Sequence, residues 1–220
     1  MSGLDLNDLI HNPSPRCACM LVLDTSGSMD GAPIAELNDG LRRLLAALKE
    51  DEVASFSVEL GIVTTGSGVA RQELALTGVN ALDSLPQLGA SGGTPLGEAV
   101  KLALDALEVR KEQYRSTGVP YFQPWLIIIS DGSPGDSWTS VAERSHGMSS
   151  HRKLVCLPVG VSGADMGVLA AFSSKGAKPL EGLKFAEFFE WLSASMGRVS
   201  ASNSTAATVQ LPSTDPWSCA

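Results

Sequence analysis

The stretch Ala18-Cys19-Met20-Leu21-Val22-Leu23-Asp24-Thr25-Ser26-Gly27-Ser28 decides how the rest of the chain is read. Six apolar residues in a row, without polar alternation, suit a strand covered on both faces, as in a parallel sheet buried between helices. The run stops at a polar loop rich in hydroxyls. Beyond it, Ile34, Leu37, Leu41, Leu44, Leu45 and Leu48 recur at spacings of three and four, which predicts a helix with one apolar stripe. Pro33 is tolerated in its first turn, and Gly40 weakens its interior slightly.

The alternation continues outward. Val58, Leu60, Ile62 and Val63 form the core of a predicted strand within residues 53–65. Residues 69–76 mix charged and apolar side chains and read as a returning edge strand. The loop 88–95 leads into a helix carrying Leu96, Val100, Ala103, Leu104 and Leu107 on one face. Residues 125–129, WLIII, make the most strand-like run and end at Ser130-Asp131-Gly132. A weak helix is expected over 137–149, a strand over 154–161, a short helix over 165–172 and a last helix over 185–196. Strands alternating with helices call for an α/β fold with a mostly parallel sheet and helices on both faces. Ligands of such folds bind beyond the carboxyl ends of the strands, where strand order reverses. The loops 24–31, 89–95, 131–138 and 162–166 therefore matter most.

The bulk composition agrees with a globular domain: 220 residues, 44% hydrophobic and 18% charged. The formal net charge of −8 repels phosphate backbones, so nucleic acid is not the expected partner. Cations or basic protein patches suit it better. Cys17 and Cys19, two apart on one strand face, and Cys156 and Cys219 lack metal or redox spacing and read as reduced thiols. Residues 1–16 contain acids and prolines and do not resemble a signal peptide. No stretch is apolar enough to span a membrane, so a cytoplasmic location is expected. Residues 1–16 read as an extension, and the Ser/Thr-rich residues 200–220 as a tail. Either that tail is disordered, or Leu211 and Trp217 dock on the domain or on a partner.

Three loops concentrate hard oxygen donors. Asp24, Ser26 and Ser28 follow the first strand, Thr94 opens a helix after Gly92-Gly93, and Asp131 follows the strand 125–129. Two carboxylates and three hydroxyls suit Mg2+, which takes oxygen ligands and keeps some of its waters. Mn2+ and Ca2+ share that taste. Each loop alone has a structural alternative. Asp24 and Ser26 could cap the helix that starts near residue 32, Thr94 could cap the next helix with Glu98 in a capping box, and Asp131-Gly132 could be a turn. Asp30, Glu98, Asp136 and Asp165 could share the rim or simply be solvated.

Taken in order, DTSGS at 24–28, SGGTPLG at 91–97 and IIISDGSP at 127–134 resemble the metal-ion-dependent adhesion site of von Willebrand factor A domains. LVLDTSGSMDGAPIAELNDGL and ASGGTPLGEA are similar to the bacterial TerY/YegL-like group associated with tellurium resistance. Residues 17–197 follow that family's order of elements, and the domain is set at residues 17–199. It implies a Rossmann-like three-layer sandwich whose six-stranded sheet has one antiparallel edge strand. It also implies that Ser26 and Ser28 bind the metal directly and Thr94 directly or through water. Asp24 and Asp131 would act mostly through bound waters, and a partner's Asp or Glu would complete the shell. In that group a protein kinase and a PP2C-type phosphatase are the implied associates. The family often has an aromatic residue where Thr65 stands and a threonine where Gly135 stands.

The expected function is therefore a non-enzymatic, Mg2+-dependent protein-interaction module. A metal-dependent phosphoester hydrolase, with Asp24 or Asp131 orienting water, and a metal-independent structural subunit are the alternatives. Other chemistries lack their residues. Ser26 stands where an aspartyl-phosphate phosphatase needs an acid, and the Gly-rich loop at 89–97 lacks a P-loop lysine. No G-x-S-x-G elbow occurs. His11, His146 and His151 fall away from strand ends, which disfavours a Ser/His/Asp triad or a zinc site.

Overall fold

In a computed structural model, residues 14–218 are described apart from 132, 203 and 207. His11 and Cys219 lie outside the described residues. The sheet has six strands: β1 (Cys17–Leu23), β2 (Val58–Thr64), β3 (Arg71–Gly78), β4 (Trp125–Ser130), β5 (Val155–Gly160) and β6 (Lys178–Pro179). Their spatial order is β3-β2-β1-β4-β5-β6, and only β3 runs antiparallel. Strand order reverses between β1 and β4. The Rossmann-like architecture is therefore the expected one, with the antiparallel strand at one edge.

Among the described residues six α-helices flank the sheet: α1 (Ala32–Glu50), α2 (Ala54–Ser57), α3 (Leu96–Thr117), α4 (Thr139–Ser150), α5 (Met166–Ala170) and α6 (Phe185–Ser200). Every residue of β1 is buried, as an uninterrupted apolar run requires. Alternate residues serve opposite layers. Cys17, Cys19, Leu21 and Leu23 pack with α1 and α6, whereas Ala18, Met20 and Val22 pack with α3 and neighbouring α4 and α5. The stripe on α1 faces the core as predicted. Gly40 has a packing reason: a Cβ there would lie 2.4 Å from Phe189 Cδ2, so the glycine lets α1 and α6 approach closely. Two elements escaped the sequence reading. The turn of helix α2 precedes β2, and β6 is only two residues long.

A buried ionic group braces β2 against α3. Glu59 Oε2 accepts from Arg110 Nε at 2.6 Å and from the Tyr114 hydroxyl at 2.7 Å. Removing one member leaves an uncompensated buried charge, which commonly costs about 3–5 kcal/mol.

The tail is docked rather than loose. Trp217 is fully buried, with ring centroids 5.0 Å from Phe188 and 5.4 Å from Trp191. The Trp191 indole N–H donates to the Pro212 carbonyl at 2.9 Å, and Glu181 N–H to the Trp217 carbonyl at 2.9 Å. Leu211 packs against the same core. Of the two expectations for the tail, docking of Leu211 and Trp217 on this domain is the one observed among the described residues. Trp217 Nε1 has no partner among the described residues, which offsets part of its burial gain. Trp217→Ala should destabilise the protein by about 3 kcal/mol in urea unfolding, at the low end for a buried tryptophan. An unchanged midpoint would mean that the tail contributes nothing.

Cys17, Cys19 and Cys156 are free and buried. Burial, with the Glu59 carboxylate adding to it, pushes the Cys17 thiol from an ordinary 9.0 up to about 12. Burial pushes Cys156 to about 12 as well. Between these limits the unfolded chain holds fewer protons than the folded one, so stability falls as pH rises. The urea midpoint is expected to drop between about pH 9 and about pH 12. Cys17→Ala should lessen that drop, leaving the share of Cys156.

Candidate metal centre

Parallel register builds the site one layer at a time. Leu23 lies beside Thr64 on β2 and Ile129 on β4. The next layer therefore sets Asp24 between Thr65 and Ser130. All three are fully buried. Asp24 Oδ1 accepts from the Ser26 backbone N–H at 2.9 Å and from the Thr65 hydroxyl at 3.1 Å. Its Oδ2 accepts from the Ser130 hydroxyl at 2.7 Å. A buried carboxylate is tolerable when both its oxygens are bonded in this way. Thr65 and Ser130 were not singled out from the sequence as partners of Asp24. The available signal was their place, as hydroxyl residues at or just past the ends of strands flanking β1.

Beyond the Ser26 N–H that Asp24 holds, a line of side-chain oxygens runs outward. Ser26 Oγ and Ser28 Oγ are 2.9 Å apart, and the Ser28 hydroxyl donates to Asp131 Oδ2 at 2.9 Å. Asp131 Oδ1 accepts from Ser133 N–H at 3.0 Å, so the aspartate shapes its own turn and reaches across to the first loop at once. Four of the five predicted residues thus meet through direct hydrogen bonds. Thr94 joins them through backbone. Its carbonyl accepts from Gly135 N–H at 2.8 Å, while Gly92 O accepts from Gly27 N–H at 2.9 Å. The Thr94 residue is buried, and its hydroxyl makes no hydrogen bond to the other four among the described residues.

The capping alternatives fail for Asp24, Ser26 and Thr94. The N-caps of α1 and α3 are Gly31 and Pro95, and neither has a side-chain cap. The free N–H groups of α3 are met from another loop: Asp136 accepts from Gly97 at 3.0 Å and from Glu98 at 2.7 Å. Gly97 makes room for this, since a Cβ there would lie 2.5 Å from Ser137 O. Asp165 caps α5, accepting from Gly167 and Val168, and its N–H donates to Asp131 O at 2.8 Å. Asp136 and Asp165 therefore hold the rim's shape, while Asp30 and Glu98 are exposed. His146 and His151 are exposed on α4 and just beyond it.

The donor set fits a small hard cation. Neighbouring ligands of an octahedral ion at 2.0–2.1 Å are about 2.9 Å apart, whereas Ca2+ distances spread them to about 3.4 Å. Both hydroxyl–oxygen spacings here are 2.9 Å. The same length suits an ordinary O–H···O bond, so these contacts preset the spacing. Among the described residues no three His, Cys, Asp or Glu side chains converge as a metal group. Any cation held here would rest on hydroxyls and two carboxylates.

Residues 19–133, about half of the chain, match the family profile of the von Willebrand factor type A domain. No curated protein is significantly similar. Among solved structures, the pilus adhesin SpaC of Lactobacillus rhamnosus GG is 13% identical with a TM-score of 0.62, covering 84% of this chain and 30% of its own. The mussel-byssus proximal thread matrix protein 1 "with zinc occupied MIDAS motif" is 14% identical with a TM-score of 0.55, covering 83% of this chain and 46% of its own. The ArnB paralog VWA2 of Sulfolobus acidocaldarius is 14% identical at TM-score 0.55, covering 82% and 45%. This chain spans less than half the length of each of these three. At such identity they speak for the fold. With the profile match, the strand order and the site at the β1/β4 switch point, the chain belongs to the von Willebrand factor type A family.

Proposed function

We propose that this domain binds Mg2+ or Mn2+ at the β1/β4 rim and thereby takes hold of an Asp or Glu carboxylate on a protein partner. The observation that carries the reading is the run Ser26–Ser28–Asp131, whose successive side-chain oxygens are 2.9 Å apart, anchored on Asp24 through the Ser26 backbone N–H. Ser26 and Ser28 would hold the cation through their hydroxyls, and Thr94 directly or through water. Asp24 and Asp131 supply the negative charge that hydroxyls lack. When bound, the cation supplies a positive charge and an open coordination position for an outside carboxylate. The zinc-occupied motif named for the byssus protein supports a divalent ion at this kind of site.

The domain acts as a binding module rather than an enzyme. Both oxygens of Asp24 already accept from three donors, which suits an anchor better than a base that must exchange protons. The 21–41 and 90–99 motifs support placement in the TerY/YegL-like group, with a kinase and a PP2C-type phosphatase as partners in a cytoplasmic stress response. No helix among the described residues is long and apolar enough to cross a membrane.

Calorimetric titration of Mg2+ should show one saturable site. Ser28→Ala should weaken it by at least about tenfold, and Asp24→Ala should abolish it. Saturating metal at 100 times Kd should stabilise the fold by about 2.7 kcal/mol. Absence of both heat and stabilisation with Mg2+ and Mn2+ would sink the metal reading. Partner capture that survives chelator would favour a metal-independent subunit. Phosphoester turnover that disappears in Asp24→Ala would favour a hydrolase.

A further inference from the structure

A cavity lies at the end of the sheet opposite the rim, where β4 and β5 begin at Trp125 and Val155. Its volume is about 990 Å3, at the top of the range of roughly 300–1,000 Å3 usual for small-molecule sites. Its charge runs against that of the whole molecule. Lys111, Arg115, Arg144, Arg152, Lys153 and Lys175 line it, six of the chain's 16 basic residues. Glu108 is the one acid of 24 that does so among the described residues. Lys111 pairs with Glu108, Arg115 with Glu112 and Arg144 with Asp105. Arg152, Lys153 and Lys175 have no carboxylate partner among the described residues. Tyr121, Met148, Val155 and Leu211 give the same cavity an apolar wall.

The placement of Arg152 is unfavourable for the fold. Helix α4 ends in a Schellman motif: Lys153 N–H donates to Met148 O at 2.8 Å, and Arg152 N–H to Ser149 O at 3.1 Å. The residue between, Arg152, must take a left-handed conformation, and its φ is +56°. Glycine is the residue this position favours. A cation in a glycine position, lining a cavity already rich in cations, calls for a ligand. The neighbouring loop is tied alongside by a Ser149–Ser174 hydroxyl contact of 2.9 Å, which brings Lys175 to the same opening.

We propose that this cavity binds an organic diphosphate of nucleotide size. Its phosphoryl groups would pair with Arg152, Lys153 and Lys175, and its body would lie on the apolar wall. Charge-assisted bonds to phosphate oxygens give such a ligand its grip. The site is independent of the metal rim, which sits at the opposite ends of the same strands.

The test titrates ADP, pyrophosphate and adenosine into the full chain at low salt with chelator present, so that no ligand reaches the rim through a metal. ADP should saturate one site, pyrophosphate should bind more weakly, and adenosine should not bind. Arg152→Gly should weaken ADP at least tenfold while leaving the unfolding midpoint unchanged or raised, because glycine relieves the left-handed residue. Lys153→Gln should weaken ADP similarly, and Asp24→Ala should leave ADP binding intact. The proposal is overturned by failure of ADP to saturate, by an affinity that Arg152→Gly leaves untouched, or by tighter binding of a glutamate-rich peptide than of ADP. That last result would reassign the cavity to an acidic protein partner.

Discussion

Burying the Asp24 carboxylate is the constraint from which the rest of the molecule follows. A charge in that position, unsolvated, is tolerable only if donors surround it. The donors come from three places: its own loop, the end of β2 and the end of β4. Asp24 therefore fixes the carboxyl ends of the three central strands at one height. With that height set, the loops after β1 and β4 must meet, and Ser28 reaches Asp131 across 103 residues of sequence. The oxygen-lined rim is a by-product of satisfying one buried acid.

Most of the fold was legible because its signals are local. Continuous apolar runs marked β1 and β4, and three–four spacing marked α1 and α3. The short β6 was not legible, since Lys178-Pro179 carries no strand pattern and is recruited only by pairing with Val159 and Gly160 on β5. Helix α2 was likewise hidden inside a stretch of β-forming residues. The five oxygen-bearing site residues could be named from motif order, but their partners could not. Thr65 and Ser130 are set by strand register, a non-local quantity that one sequence does not print. Asp136 is instructive: the sequence leaves it either a rim group or a solvated acid, and it instead accepts from the first N–H groups of α3, whose N-cap is Pro95.

The two ends of the sheet have opposite electrostatic characters. At the carboxyl ends the oxygens of Asp24 and Asp131 gather with hydroxyls, and at the amino ends six cations ring a cavity. The covering helices run antiparallel to the strands they follow, which would suit anions near the rim and cations at the far end. The side-chain charges follow both tendencies, with carboxylates at the rim and cations at the far end.

The docked tail has an optical consequence. Trp125, Trp191 and Trp217 form a chain with successive ring centroids 6.5 and 5.4 Å apart, whereas Trp138 sits apart against Phe172. Indoles that close exchange excitation, so the trio forms a coupled chromophore in the near ultraviolet while Trp138 absorbs and emits on its own. The molecule thus carries two separable spectroscopic reporters: a collective one for the seating of its C-terminal segment and a solitary one beside the loop that bears Asp131.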